Sequence, residues 1–300
     1  MKLVRFSTNG QTPRLGILDG ERVADVQQSL TATLARRGVV RAQEIAEALV
    51  PQSTRRFLEG GAASRDAVAA ITEWVTVPRT SARLHAPISD PGKFICIGLN
   101  YKDHAEEAGM PIPKEPPIFP KWNNTILDPG EPILRPRGST QLDWEVELGV
   151  VIGRTARHVP REQALDYVWG YVNINDVSAR DFQFITSQWS AGKIADTFAP
   201  VGPFIADRAE IPDPHVLDLK LWVNGTQMQS GNTRKFIFDV RYIVSYLSGL
   251  LTLEPGDLIA TGTPPGVGFG KKPPVFMQPG DVCRLEITGL GTLENPVKDG

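Results

Sequence analysis

Cysteine is almost missing from this chain. Cys96 and Cys283 are the only two in 300 residues and lie far apart, which excludes a disulfide framework and any CxxC metal or redox motif. There is no basic surplus either: 32 Lys and Arg stand against 34 Asp and Glu, a net charge of -2. Nothing in that balance would neutralise a phosphate backbone, so no nucleic-acid partner is expected. Long apolar runs are absent too. The longest, Tyr242 to Leu253, is broken by Ser245, Ser248 and Gly249 and is too short to span a bilayer. The opening MKLVRFSTNG has neither an apolar h-region nor a small-residue cleavage site. A cytoplasmic protein with no membrane partner is the expectation.

Histidine is scarce, and its pattern excludes more. His85, His104, His158 and His215 form no HxH or HExxH, which weakens any zinc or two-His iron reading. No GxSxG marks a serine nucleophile. Gly266-x-Gly268-x-Gly270 runs into Lys-Lys-Pro-Pro instead of a helix, so a dinucleotide site is rejected.

Glycine and proline, by contrast, supply 53 of the 300 residues (28 and 25), well above the average of roughly 12%. A turn-rich, mostly β chain is the plain reading. Hydrophobic residues at 41% and charged residues at 22% are ordinary for a globular protein. The length suits one large domain or two modest ones.

The first part of the chain differs from the rest. Leu3–Phe6 and Leu15–Val23 read as short strands with a turn at Asp19-Gly20, a strong hairpin signal. Helical segments are predicted over Arg41–Val50, Ser53–Leu58 and Ser64–Val75. Residues 77–93, with three prolines and little periodicity, read as a linker and set a boundary between 1–82 and 83–300. Beyond it strands dominate. FICIG (94–98) is followed by Asn100 as a candidate helix cap. Pro111–Arg137 carries eight prolines and reads as a long loop, a length usually functional or disordered. Asp143–Gly153 and Tyr171–Val177 read as strands, Arg161–Val168 and Ile237–Leu251 as helices. Ser178-x-x-Asp181 has the form of a capping box.

The strand DWEVELGVVIG is the most informative segment. Alternation puts Trp144, Val146, Leu148, Val150 and Ile152 on one face and Glu145 with Glu147 on the other, about 7 Å apart at their Cα atoms. Two parallel carboxylates repel unless something positive lies between them, and a divalent cation is a natural occupant. On spacing alone a solvated face, with its glutamates paired to Lys or Arg across the sheet, is the stronger reading, since alternating charges on an exposed face are common. Asp176 continues the side of its strand that carries Val172 and Ile174. A carboxylate there is costly unless paired or ligating, although it could simply cap the following helix.

His104 and Glu107 lie three apart on a short predicted helix, hence on one face. A carboxylate that orients an imidazole is a recurrent general-base device; an isolated surface pair is the commoner case. Lys102 and Glu106, at i,i+4, read as a solvated pair. Lys193 follows a Gly in a mixed segment and could bind an anion or be a plain surface lysine. Arg180 and Gln183 lie a helical turn apart past Asp176, and Thr261-Gly-Thr263 opens a Gly/Pro loop able to present N–H groups to an anion. An all-oxygen donor set favours Mg²⁺, Mn²⁺ or Ca²⁺.

Taken in order, IGLNYKDHAEE, DWEVELGVVIG, GYVNINDVSARDFQ, GKIADTFAPVGP, VNGTQMQ, LEPGDLIATGTPPGVG and GLGTLENPV resemble the fumarylacetoacetate hydrolase family over roughly residues 93–297. The resemblance implies an α+β fold: a mixed β-roll or distorted barrel with a small N-terminal α/β domain, usually as a homodimer. It implies a divalent metal, most often Mg²⁺, on Glu145, Glu147 and Asp176, and a His–Glu dyad at His104 and Glu107. It places substrate contacts at Arg180, Gln183 and Thr263 and a functional lysine at Lys193. The sequence departs at Ile194-Ala195, where many members carry Ser–Phe or Ser–Cys, a difference read as substrate tuning. The activity implied is hydrolysis of a C–C bond in an acylpyruvate or other 2,4-diketo acid, in aromatic or sugar-acid catabolism. Decarboxylation or tautomerisation of a 2-oxo acid on the same site is the alternative, and a catalytically silent small-acid binder is a third.

Overall fold

The computed structural model describes all 300 residues. One long sheet organises most of the chain. From edge to edge it runs Val75–Pro78, Arg22–Asp25, Arg14–Asp19, Lys2–Ser7, Ala199–Asp207, Val168–Asn175, Val146–Ile152, Leu258–Ala260, Phe94–Ile97 and Ile118–Lys121. A second, five-stranded sheet is built from Thr226–Asn232, Asp218–Val223, Val282–Ile287, Thr292–Asp299 and Ile133–Arg135. Both sheets end in edge strands, so the expected β-roll is present as an open, mixed arrangement and not as a closed barrel.

The two sheets trap the larger apolar cluster between them, and Trp144, Val146, Leu148, Val150 and Ile152 all point into it. The opposite face of the same strand is also covered. Val151, with Val172 and Ile174 of the neighbouring strand, packs into a second cluster that includes Val26, Leu30, Ala46 and Phe57 from the N-terminal helices. Every residue of Val146–Ile152 is therefore buried, as is Glu145 just before it, and the solvated-face reading of the two glutamates fails. Gly149 is what lets the strands approach here: a Cβ would sit 2.7 Å from both Ile174 and Val172.

Several local expectations change in the folded chain. Helix Val26–Arg36 has no counterpart among the predicted segments; Asp25 caps it by accepting from the Gln28 N–H, and its Ser and Thr residues mask its periodicity. The helix expected over 64–75 spans Gly61–Ala69, because Val75–Pro78 pairs as an edge strand. Residues 77–93 are not a free linker, since Arg83–His85 pairs with Lys2–Ser7. The Pro-rich 111–137 segment contributes three short strands, each adding to an existing sheet. Arg161–Tyr167 is a 3-10 helix.

A buried relay stitches these parts together. Ser7 Oγ lies 2.9 Å from His85 Nε2, and His85 Nδ1 lies 2.6 Å from Asp128 Oδ2. The Ala86 N–H donates to the other Asp128 oxygen at 2.7 Å, so the first strand is tied to the Pro-rich segment. Helix Val240–Leu250 closes the main cluster with Val240, Ile243, Val244 and Leu247. Its first turn is capped by Asp239, which accepts from the Tyr242 N–H at 2.7 Å.

Candidate active site

The ends of the central strands converge on a pocket of about 220 Å³ lined by Glu145, Glu147, Arg180, Gln183, Lys193, His104 and Thr263 together with apolar side chains. Residues far apart in sequence arrive here because Val146–Ile152 sits between Val168–Asn175 and Leu258–Ala260 in the long sheet. Each of those three strands delivers a functional segment at its end.

Glu145, Glu147 and Asp176 offer carboxylate oxygens all within 4.8 Å of one another, and all three residues are buried. Asp176 does not cap a helix. Its carboxylate accepts from Lys193 Nζ at 2.9 Å and lies 2.8 Å from Lys121 Nζ. The capping box fails as well: Ser178 Oγ donates to the Asp176 carbonyl, and Asp181 accepts from Ser139 Oγ and the Thr140 N–H.

The remaining charges form one continuous network. Lys193 Nζ bridges Glu145 (2.8 Å) and Asp176 (2.9 Å). Arg180 donates to Asp143 at 2.8 Å, to Glu145 at 2.6 Å and to Gln183 Oε1 at 2.9 Å. Burial works against the charge on Glu145, but Lys193 and Arg180 outweigh it and hold that carboxyl below its ordinary value. Glu147 behaves oppositely. Burial, with Asp176 and Glu145 beside it, holds its carboxyl well above the usual range, and a single N–H, from Gly262 at 2.8 Å, donates to it. Four buried carboxyl groups (Asp143, Glu145, Glu147, Asp176) thus face three cations (Lys121, Arg180, Lys193). Glu147 has no cation of its own, and with Glu145 and Asp176 it offers an all-oxygen donor set that could bind a divalent metal.

His104 and Glu107 form the expected dyad on the six-residue helix Lys102–Glu107, with His104 Nδ1 3.2 Å from Glu107 Oε2. The Glu107 carboxylate also accepts from the Gly266 N–H, at 2.9 and 3.1 Å to its two oxygens, so the dyad is anchored from outside its own helix. Gly266 has φ +106° and passes so close to the Met228 carbonyl that a Cβ would sit 2.2 Å from it, leaving glycine as the residue for that turn. Asn100 is not the helix cap, which is Tyr101. Its side chain instead donates to the Phe238 and Thr261 carbonyls at 3.0 and 2.7 Å, and it pins the pocket wall beside Leu99, which has φ 50°. Lys102 and Glu106 are the exposed pair foreseen, 3.9 Å apart.

Thr263 reaches the pocket, but its hydroxyl is already committed, donating to the Val146 carbonyl at 3.0 Å and accepting from Gln229 Nε2 at 2.8 Å. Three residues of this region escaped the sequence reading. Gln229 also accepts from the Val146 N–H at 2.9 Å. Asp143 carries the signal of its position, two residues before Glu145 on the same strand side, and accepts from the Gly268 and Phe269 N–H groups as well as Arg180. Lys121 lies in the Pro-rich segment, where Phe119 and Lys121 alternate inward; its Nζ also donates to the Lys193 and Phe198 carbonyls at 2.6 and 2.7 Å.

Comparison with known proteins agrees with this geometry. The model of the fumarylacetoacetate (FAA) hydrolase C-terminal family matches residues 93–298. The chain belongs to the fumarylacetoacetate hydrolase family. A protein of Burkholderia lata, whose name carries the general class hydrolase and no substrate, is 46% identical over 296 residues, covering 97% of this chain and 96% of the relative. A fumarylacetoacetate hydrolase from Exiguobacterium antarcticum superposes with a TM-score of 0.82 at 35% identity over 100% of both chains. A Sphingobium maleylpyruvate hydrolase, solved with manganese(II) and pyruvate, gives 0.75 at 33% identity, also over 100% of both. A Mycobacterium marinum 2-hydroxyhepta-2,4-diene-1,7-dioate isomerase gives 0.75 at 32%, over 100% of this chain and 98% of the isomerase. Hydrolases and isomerases therefore share this architecture. No helix is long and apolar enough to cross a membrane.

Proposed function

We propose that this chain hydrolyses a C–C bond in an acylpyruvate or other 2,4-diketo acid, giving pyruvate and a carboxylic acid. The observation that carries the reading is the anchored His104–Glu107 pair opening on the same pocket as the buried acidic cluster. Glu145, Glu147 and Asp176 would hold the metal, Mg²⁺ first and Mn²⁺ or Ca²⁺ as alternatives. When bound, such an ion supplies Lewis-acid polarisation of the carboxylate and neighbouring oxo group of the substrate.

The side chains account for the proton movements. With Nδ1–H directed at Glu107, the basic nitrogen of His104 is Nε2, positioned by a partner that also stabilises the imidazolium. Nε2 takes a proton from water as the water oxygen bonds to the distal carbonyl carbon. The bond between that carbon and the pyruvyl methylene then breaks, and its electron pair leaves as the pyruvate enolate. His104 returns the proton to the methylene carbon of that enolate, which becomes the methyl of pyruvate, so one water is consumed and no other reactant is needed. The Lys193 ammonium, buried beside two carboxylates, offsets the negative charge that develops. A cytoplasmic homodimer with no partner besides its substrate completes the proposal, supported by the family resemblance.

The likeness to the Mycobacterium isomerase favours, as a second reading, tautomerisation or decarboxylation of a 2-oxo acid on the same residues. Turnover of acylpyruvates, 2,4-diketo sugar acids and oxaloacetate, with Mg²⁺ and with EDTA, separates the two. Release of pyruvate with an equimolar carboxylic acid is the expected result. Pyruvate with CO₂ from oxaloacetate alone, or isomerisation without cleavage, would overturn it.

A further inference from the structure

The pocket changes character from floor to mouth. At the floor, Glu145, Glu147, Arg180 and Lys193 are all at most 5% exposed. At the mouth stand Met110, Phe184 and Phe269, which are 36, 50 and 38% exposed. The two phenyl rings face each other at a tilt, centroids 5.3 Å apart. Trp189 and Phe119, in edge contact at 5.9 Å, form the wall on the way down.

Positive charge is confined to the floor. Arg180 and Lys193 are the only Arg or Lys residues lining the pocket, and both are already paired with carboxylates. His104 lies against Glu107. Lys271 and Lys272 follow Gly270 along the chain, but the lining ends at Gly270. A second carboxylate at the far end of a substrate would lose water there without meeting an unpaired cation, which is costly. An apolar group would gain by covering the same surface.

We propose that the mouth selects a 2,4-dioxo acid whose acyl group is apolar and ring-sized, with Phe184 and Phe269 as the specificity-determining residues, and that it discriminates against acyl groups ending in a second carboxylate. This rests on the diketo-acid hydrolase reading. It sets the chain apart from relatives whose names specify maleylpyruvate or a 1,7-dioate, both dicarboxylates.

The test compares kcat/KM, with Mg²⁺ present, for one head group bearing three acyl groups: benzoyl, acetyl and succinyl. The expected order is benzoyl, then acetyl, then succinyl. In Phe184→Ala the benzoyl-to-acetyl ratio should fall roughly tenfold, the size of a lost aromatic contact. Phe184→Arg should raise the succinyl-to-benzoyl ratio. Phe184 is half exposed, so neither variant endangers the fold. A succinyl preference in the native protein, or a ratio that Phe184→Ala leaves unchanged, would overturn the assignment.

Calorimetric binding of phenylpyruvate against 2-oxoglutarate reads the same preference without turnover. Tighter phenylpyruvate binding with no cleavage of any diketo acid would sustain the apolar mouth and sink the reaction. Cleavage with tighter 2-oxoglutarate binding would do the reverse.

Discussion

The floor and the rim of this pocket obey opposite physical rules. On the floor six charged groups are buried and paired, Lys121 with Asp176, Lys193 with Asp176 and Glu145, Arg180 with Asp143 and Glu145, while Glu147 beside them accepts only the Gly262 N–H. Removing one partner strands another charge away from water. The rim is apolar and half exposed, and the side chains of Phe184 and Phe269 meet each other there. A floor of this kind resists change and sets chemistry, whereas such a rim can vary at small cost and set specificity.

That contrast can be broken at several points. Glu147→Ala should abolish metal-dependent turnover while circular dichroism shows an unchanged fold; full activity in that variant would remove Glu147 from the metal set. His104→Ala should lower the hydrolytic rate by about 10²–10⁴ with divalent-cation affinity, measured by calorimetry, nearly retained. Equal loss of both would make the dyad structural. Lys121→Met is expected to be comparable in energy but to appear as stability, about 3–5 kcal/mol in urea unfolding, because Asp176 loses a buried partner.

The two thiols test how dry the region behind the floor is. Burial pushes Cys283 up to about 12 and Cys96 well above its ordinary value, and the thiolate is the reactive form. Between pH 7 and 9 an ordinary thiol becomes steadily more reactive toward a disulfide reagent. Native protein should stay silent over that range and release two equivalents only on unfolding. The rim should show the smallest effect of all: Phe184→Ala is expected to move stability by no more than about 0.5 kcal/mol, as for an exposed position.

The candidate site was legible because its chemistry is written in short runs. Glu145 and Glu147 alternate on a strand, and His104 and Glu107 share a helix face. Those periodicities survive folding because they come from backbone geometry alone. Lys121 was hidden by the eight prolines around it, which argue for a loop even where the chain adds a strand to a sheet edge, a position proline tolerates. The apparent caps at Asp176 and Ser178 misled for a related reason. A cap is a local hydrogen bond: at Asp176 two buried ammoniums from other segments outcompete it, and Asp181 is taken by Ser139 and Thr140.

By itself, the sequence determined the central site-bearing strands, the residue types at the site and the family, since these depend on spacing along the chain. Tertiary structure alone decided which charges meet. It covered both faces of Val146–Ile152, put Glu145 below and Glu147 above the ordinary carboxylate range on one strand face, and left the mouth without a free cation. Those outcomes depend on burial and on neighbours from distant segments, whose effect on a charge is set by distance and solvent, not by order in the chain.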